Sequence, residues 1–266
     1  MLEQLVKTIL LGVVQGLTEW LPISSTGHLK VCERLLGLSV PLLFDVALHV
    51  GTLLVVLAFF RKDVKAVLGA VASLNFKTGH GRLIPLIIVG TVPTAVIGWL
   101  LSELCGYVFQ NLSIIALAFI ICGFILYLAR TEGGGSGTIR FREALLIGVA
   151  QGFAVVPGLS RSGLTISIAL LLGIKREEAF RFSFLLSVPA VVSASALTLH
   201  REFNVLIASS LGFVDVAAGT MVALVVGYSA LKLLWRVLAK GKFYLFAFYC
   251  WVFGALLLSA MFLGFF

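Results

Sequence analysis

Two short stretches of this sequence carry side chains at spacings suited to phosphoryl chemistry. In the first, Gln15 and Glu19 lie four apart, on one face of a helix. Ser24, Ser25, Thr26 and Gly27 follow Pro22, and His28 stands three residues beyond Ser25. In the second, Ser160, Arg161, Ser162 and Gly163 follow Pro157 and Gly158, with Thr165 one turn on. A break that leads into a helix leaves backbone N–H groups unpaired at a positive dipole end, which is a site for an anion. Arg161 adds a planar, permanently charged fork that matches phosphate oxygens. Ser25 is a candidate nucleophile.

The two stretches are copies of one pattern. GVVQGLTEWLPISSTGHLKVCERLLG (12–37) aligns with GVAQGFAVVPGLSRSGLTISIALLLG (148–173). Gly12, Gln15, Gly16, Ser24, Gly27 and Gly37 match Gly148, Gln151, Gly152, Ser160, Gly163 and Gly173, with only the prolines, Pro22 and Pro157, one residue out of register. In this alignment Ser25 stands opposite Arg161, a nucleophile in one half and a charge clamp in the other. Small and hydroxyl residues alone often do no more than pack membrane helices. Glu19, His28 and Arg161 are different, because an ionisable group at bilayer depth costs at least ~2.5 kcal/mol. A purely structural scaffold does not explain three of them on two broken helices.

The elements that position these residues lie in a membrane. The chain is 60% apolar and 12% charged, against roughly half and a quarter in soluble domains. The net charge of +8 therefore reads as a topology signal and not as a nucleic-acid surface. Cys32, Cys105, Cys122 and Cys250 are isolated, with no metal spacing, and read as packing residues. Lys7 and the apolar run behind it lack a small-residue cleavage site and lead straight into the first motif, so no cleaved leader is expected.

Six stretches are long enough to cross the bilayer: about 40–60, 84–102, 111–129, 178–199, 213–235 and 244–265. Two more, 2–38 and 143–174, are interrupted. Their arms of about 14–16 residues span roughly 21–24 Å, short of the ~30 Å core, so each reads as a re-entrant hairpin. The alternative is ten short crossings. The expected fold is thus an all-α polytopic membrane protein of two repeats, 1–130 and 143–266, each one hairpin plus three transmembrane helices. The segment 131–142, with its Gly133–Gly137 run, reads as a flexible linker. Three crossings per half are an odd number, so the repeats are expected to be inverted. Loops 61–83, 130–142 and 236–243 hold eleven Lys and Arg, whereas 103–110 and 200–212 hold one, Arg201. The first three are expected on the cytoplasmic side. Paired broken helices in corresponding halves point to the substrate site.

These residues resemble a known family. QGLTEWLPISSTGHL is similar to the (E/Q)GxTEFLPxSSTGH signature of the undecaprenyl-diphosphatase (bacitracin-resistance type) family, and PGLSRSG to its second motif. FDVALHVGTLLVVLAFFRKD (44–63), GTVPTAVIG (90–98) and FSFLLSVPA (182–190) extend the likeness nearly end to end. The resemblance implies a phosphatase that takes the terminal phosphate from a polyprenyl diphosphate, recycling a lipid carrier for cell-surface polymers. It implies a divalent cation, Mg2+ or Ca2+, with Glu19 and Gln15 as its ligands; Gln15 stands where many members have a second Glu. By position, Glu19, Ser25, His28 and Arg161 are the catalytic set. Gln15, Ser24, Thr26, Gly27, Ser160, Ser162, Gly163 and Thr165 surround the substrate. Ser25 would attack phosphorus while His28, or Glu19 through His28, takes its proton; attack by metal-bound water is the competing chemistry.

The expected partners are the lipid and the plasma membrane, with the site open to the extracytoplasmic face and no nucleic acid; a homodimer is compatible. The rival class is a transporter or flippase of a polyprenyl phosphate, since inverted broken helices also build carriers. Asp45 and His49, four apart on one span, suit a structural Asp–His hydrogen bond, a role beside the site, or a metal pair. Ser183 and Ser187 read as packing or as support beside the site, Asp215 and Glu103 as solvated, and His80 and His200 as loop residues without a role.

Overall fold

The computed structural model describes residues 2–37, 42–77, 79–130, 135, 137–207 and 212–265. Among them the regular structure is helical: α1 (Leu2–Trp20), α2 (Ser25–Leu35), α3 (Leu42–Phe59), α4 (Arg61–Ala72), α5 (Leu83–Cys105), α6 (Leu112–Leu128), α7 (Phe141–Phe153), α8 (Arg161–Leu171), α9 (Arg176–Ile207), α10 (Phe213–Ala239) and α11 (Leu245–Phe262). Both interrupted segments fold as pairs of helices, α1–α2 and α7–α8. The second arms begin at equivalent residues, Ser25 and Arg161. Each runs 11 residues, or about 16 Å, half of the ~30 Å core. The arms are less even than expected, since α1 has 19 residues and α7 has 13.

Four helices, α5, α9, α10 and α11, are long and apolar enough to cross a membrane. α6 is apolar and has 17 residues, matching the expected 111–129 span to within one residue at each end. α3, with 18 residues, covers most of the expected 40–60 span, and α4 turns from it by 84°. Residues 61–72 of the expected 61–83 loop are therefore helical. Val64, Val67, Leu68 and Val71 recur at helical spacing, and no α4 residue is buried by the protein, so α4 is an amphipathic helix turned across the axis of α3. α9 runs on to Ile207, so His200 is helical. The described part of the linker is not loose either: Gly137 N–H donates to Gly173 O (3.1 Å), Lys175 N–H donates to Gly137 O (3.3 Å), and Ile139 is buried. Asp215 is buried rather than solvated and accepts the Gly212 N–H at 3.2 Å, capping α10.

Helix packing exchanges partners between the halves. α1 lies on α10 and α7 on α5. At each contact glycine meets glycine: a Cβ on Gly12 would stand 2.5 Å from Gly219 O, and one on Gly148 would stand 2.2 Å from Gly90 O. Such clefts let backbones approach without a side chain between them. The last helices of the halves, α6 and α11, pack on each other with reciprocal contacts. A Cβ on Gly123 would meet Ala247 O at 3.0 Å, and one on Gly254 would meet Ala116 O at 2.8 Å. Position 116 thus faces 254 and 123 faces 247, so the two helices are antiparallel. Between the tips and α9, the rings of Trp20, Phe60, Phe180 and Phe184 form an aromatic core.

Candidate active site

Glu19 closes α1 one residue before its end and is 9% exposed. Its two oxygens do different things. Oε1 accepts from Arg161 Nη2 at 2.7 Å. Oε2 accepts from Ser25 Oγ at 2.6 Å and from Gln15 Nε2 at 3.2 Å. The two tips are thereby joined through one carboxylate, and a serine hydroxyl is hydrogen-bonded to it. The geometry follows from the break: Ser25 is the first residue of α2, so its side chain turns back toward the arm it has just left, where Glu19 ends α1.

Arg161 is placed by rings as well as charge. Its guanidinium lies over Trp20 (5.2 Å) and toward Phe184 (6.0 Å). Nη2 is spent on Glu19, while Nη1 is buried without a hydrogen-bond partner. A buried donor left unpaired is costly, and a phosphate oxygen is a group that could satisfy it. Gln15 carries the complementary orphan: its Oε1 is buried and unpartnered, an oxygen of the kind a hard cation takes. Among the described residues no three His, Cys, Asp or Glu side chains stand close enough to cage a metal on their own.

His28 faces away from Ser25. Its Nδ1 lies 2.8 Å from Ser24 O and its Nε2 2.7 Å from Tyr249 Oη. A carbonyl only accepts, so Nδ1–H is the donor and the neutral ring receives the Tyr249 O–H at Nε2. Phe253 stacks on the ring at 4.3 Å and Phe119 meets its edge at 5.2 Å. Both nitrogens are occupied, so the expected Ser25–His28 contact does not form. His28 pins the turn instead, holding the carbonyl of Ser24, whose φ of 64° is rare for a side-chain-bearing residue.

His49, left open by the sequence, reaches the site from α3. Its Nε2 is 3.7 Å from Glu19 Oε2, while Nδ1 lies 2.7 Å from the main-chain O of Asp45. The expected side-chain Asp–His bond is therefore a bond to backbone, and only an imidazolium at His49 would pair with Glu19. Tyr249 carried no signal at all, since it lies 221 positions from its partner on an apolar helix.

The remaining polar residues of the tips hold the tips together. Ser24 Oγ accepts the Gly158 N–H at 2.9 Å. Ser160 caps α8 by accepting the Gly163 N–H at 3.1 Å. Ser162 Oγ donates to Trp20 O at 3.1 Å. Thr165 Oγ1 donates to Arg161 O (2.8 Å) and pairs with Ser183 Oγ (2.6 Å). Gly27 fits under Phe119 and Gly163 beside Pro22, where Cβ atoms would come within 2.7 and 3.3 Å. Thr26 is exposed.

An undecaprenyl-diphosphatase of Desulforapulum autotrophicum is 43% identical, covering 98% of this chain and 100% of that protein. Those of Desulfosudis oleivorans and Carboxydothermus hydrogenoformans are each 42% identical, over 95% of this chain and 97% and 95% of theirs. The family described as bacitracin resistance protein BacA matches residues 8–256. That span takes in both tips and every residue of the Glu19–Ser25–Arg161 cluster: this chain belongs to the BacA family.

Proposed function

We infer that this protein is a membrane phosphatase that hydrolyses undecaprenyl diphosphate to the monophosphate and phosphate, recycling the lipid carrier. The family carries the activity; the observation that carries the chemistry is Glu19, pinned by Arg161 on one oxygen and accepting the Ser25 hydroxyl on the other. Glu19 takes the proton as Ser25 Oγ bonds to the terminal phosphorus. The bridging P–O bond breaks, and the lipid leaves as its monophosphate. Water then attacks the phosphoserine, the Ser25 Oγ–P bond breaks, and the serine recovers its proton from Glu19. The guanidinium of Arg161 and the uncapped first amides of α2 stabilise the charge on the phosphoryl oxygens. Glu19 and Gln15 Oε1 would hold a divalent cation, Mg2+ or Ca2+, and such a cation would supply charge neutralisation. His28 is a positioning residue in this reading, not the base.

A carrier of the same lipid would use Glu19 and Arg161 but has no need of a hydroxyl bonded to the carboxylate. Phosphate release from detergent-solubilised undecaprenyl diphosphate by the purified chain tests the assignment; binding without release would refute it. The halves form an inverted pair, supported by the exchanged packing of α1 on α10 and α7 on α5 and by the antiparallel contact of α6 with α11. In the plasma membrane the Lys- and Arg-rich segments face the cytoplasm and the first hairpin opens to the outside. A cysteine at position 77 on a background without native cysteines should resist external labelling in intact cells.

A further inference from the structure

Beside the start of α5, two adjoining cavities of about 330 and 380 Å³ share Arg82 and Leu86. The larger is lined by Lys77, Arg82 and Arg140 together with Phe76, Pro85, Leu86 and Phe141, with no carboxylate among its walls. None of the three cations is in an ion pair among the described residues. Contrast the neighbouring cavity, where Arg181 is neutralised by Asp63 at 2.6 Å, which His80 also approaches at 3.3 Å.

The cationic cavity is a built feature rather than a chance gathering of loop side chains. The Asp63 contacts tie α4 to α9 and to the turn at His80. That turn closes on the end of α4: Gly81 is buried, and a Cβ there would stand 3.2 Å from the Ala70 side chain. Arg140 is held by the linker segment, which is bonded at Gly137 to the α8–α9 turn, and by the Glu143 carboxylate, which accepts its backbone N–H at 2.9 Å. The cavity opens at the start of α5, a span of 23 residues, beside α4, which is bent by 84° from α3. Its walls combine three cations with aromatic and aliphatic side chains at the start of a membrane-crossing helix.

We propose that this cavity binds the headgroup of an anionic glycerophospholipid of the adjacent leaflet. The guanidinium forks of Arg82 and Arg140 and the Lys77 ammonium take the phosphate, and an acyl chain lies against Phe76, Pro85 and Phe141. A neutral zwitterionic lipid lacks the net charge that three unpaired cations favour.

Native mass spectrometry of the full chain, released from nanodiscs of equal phosphatidylglycerol and phosphatidylcholine, tests this. One retained phosphatidylglycerol per chain is expected. In Lys77→Gln/Arg82→Gln/Arg140→Gln its retention should fall about 100-fold, given the usual attraction per cation near a membrane. Arg61→Gln/Lys62→Gln/Lys65→Gln on α4 makes the same charge change outside the cavity and should keep the lipid. Equal loss in both variants, equal retention of phosphatidylcholine, or preference for an added polyprenyl phosphate would each overturn the proposal. Phe141→Trp reads the site without touching the cations. Its added emission should be quenched more by brominated phosphatidylglycerol than by brominated phosphatidylcholine, and equal quenching overturns the proposal as well.

Discussion

Ser24 and Ser160 occupy the same place in the two hairpins, one residue before a helix, yet they are bonded in different ways. Ser160 is extended (φ −80°, ψ 125°) and caps its own helix through the Gly163 N–H. Ser24 has φ 64° and caps nothing; its hydroxyl accepts the Gly158 N–H of the opposite tip. The second tip places its positive φ earlier, at Gly158, where glycine bears it without strain. One consequence is chemical. One first-turn amide of α8, that of Gly163, is capped by a side chain and the helix presents Arg161, whereas α2 has no side-chain cap beside Ser25. The other differences run the same way, since Glu19 and His28 face Val155 and Leu164 in the alignment. A duplicated scaffold has become one site by closing one helix end and leaving the other available for an anion.

The largest effect expected is at Ser25. Ser25→Ala should lower phosphate release by at least about 10³-fold in folded protein while lipid binding survives, as removal of a nucleophile does elsewhere. Retention of activity within tenfold would show that water, oriented by Glu19, attacks directly. Next comes the clamp on the other tip. Arg161→Lys keeps the charge but loses the fork that holds Glu19 with one nitrogen and offers the other, so turnover should fall about 100-fold. Near-normal turnover would reduce Arg161 to bulk charge.

Tyr249→Phe sharpens the role of His28. It keeps the ring stack and removes only the hydroxyl that His28 accepts from. A loosened Ser24 turn should cost about 3- to 10-fold in kcat with KM unchanged, the worth of one hydrogen bond. A loss as large as that of Ser25→Ala would mean that the Tyr249–His28 pair acts on the reacting atoms. The smallest difference lies between the two serines themselves. Ser160→Ala removes a helix cap and should lower stability by about 1 kcal/mol with activity intact. Ser24→Ala leaves the Gly158 N–H unpaired across the tip interface, a cost of about 1–3 kcal/mol, and should lower both the melting temperature and turnover. Identical outcomes for the pair would erase the asymmetry.

Much of this was legible before the fold, because broken apolar segments and intramembrane charge are costly enough to leave few readings. The pairing of tips and the union of Glu19, Ser25 and Arg161 follow from the Pro-Ser-Gly turns in matching halves. The partner of Ser25 did not, since spacing along a helix is uninformative for its first residue, which points back over the preceding break. His49 and Tyr249 arrive from α3 and α11, and a single sequence holds no measure of such distant contacts. α4 was misread although its apolar period was visible, because Arg61, Lys62 and Asp63 at its start look like a loop.

The ion pair at the centre of the site joins residues 142 positions apart. A ribosome adding 5–20 residues per second therefore makes Glu19 roughly 7 to 30 seconds before its guanidinium exists, and α10, the surface on which α1 packs, comes later still. During that interval the nascent first hairpin has neither its counter-ion nor its helical neighbour. It must wait at the water–lipid boundary or in the insertion machinery and settle to full depth only when the second half of the chain arrives.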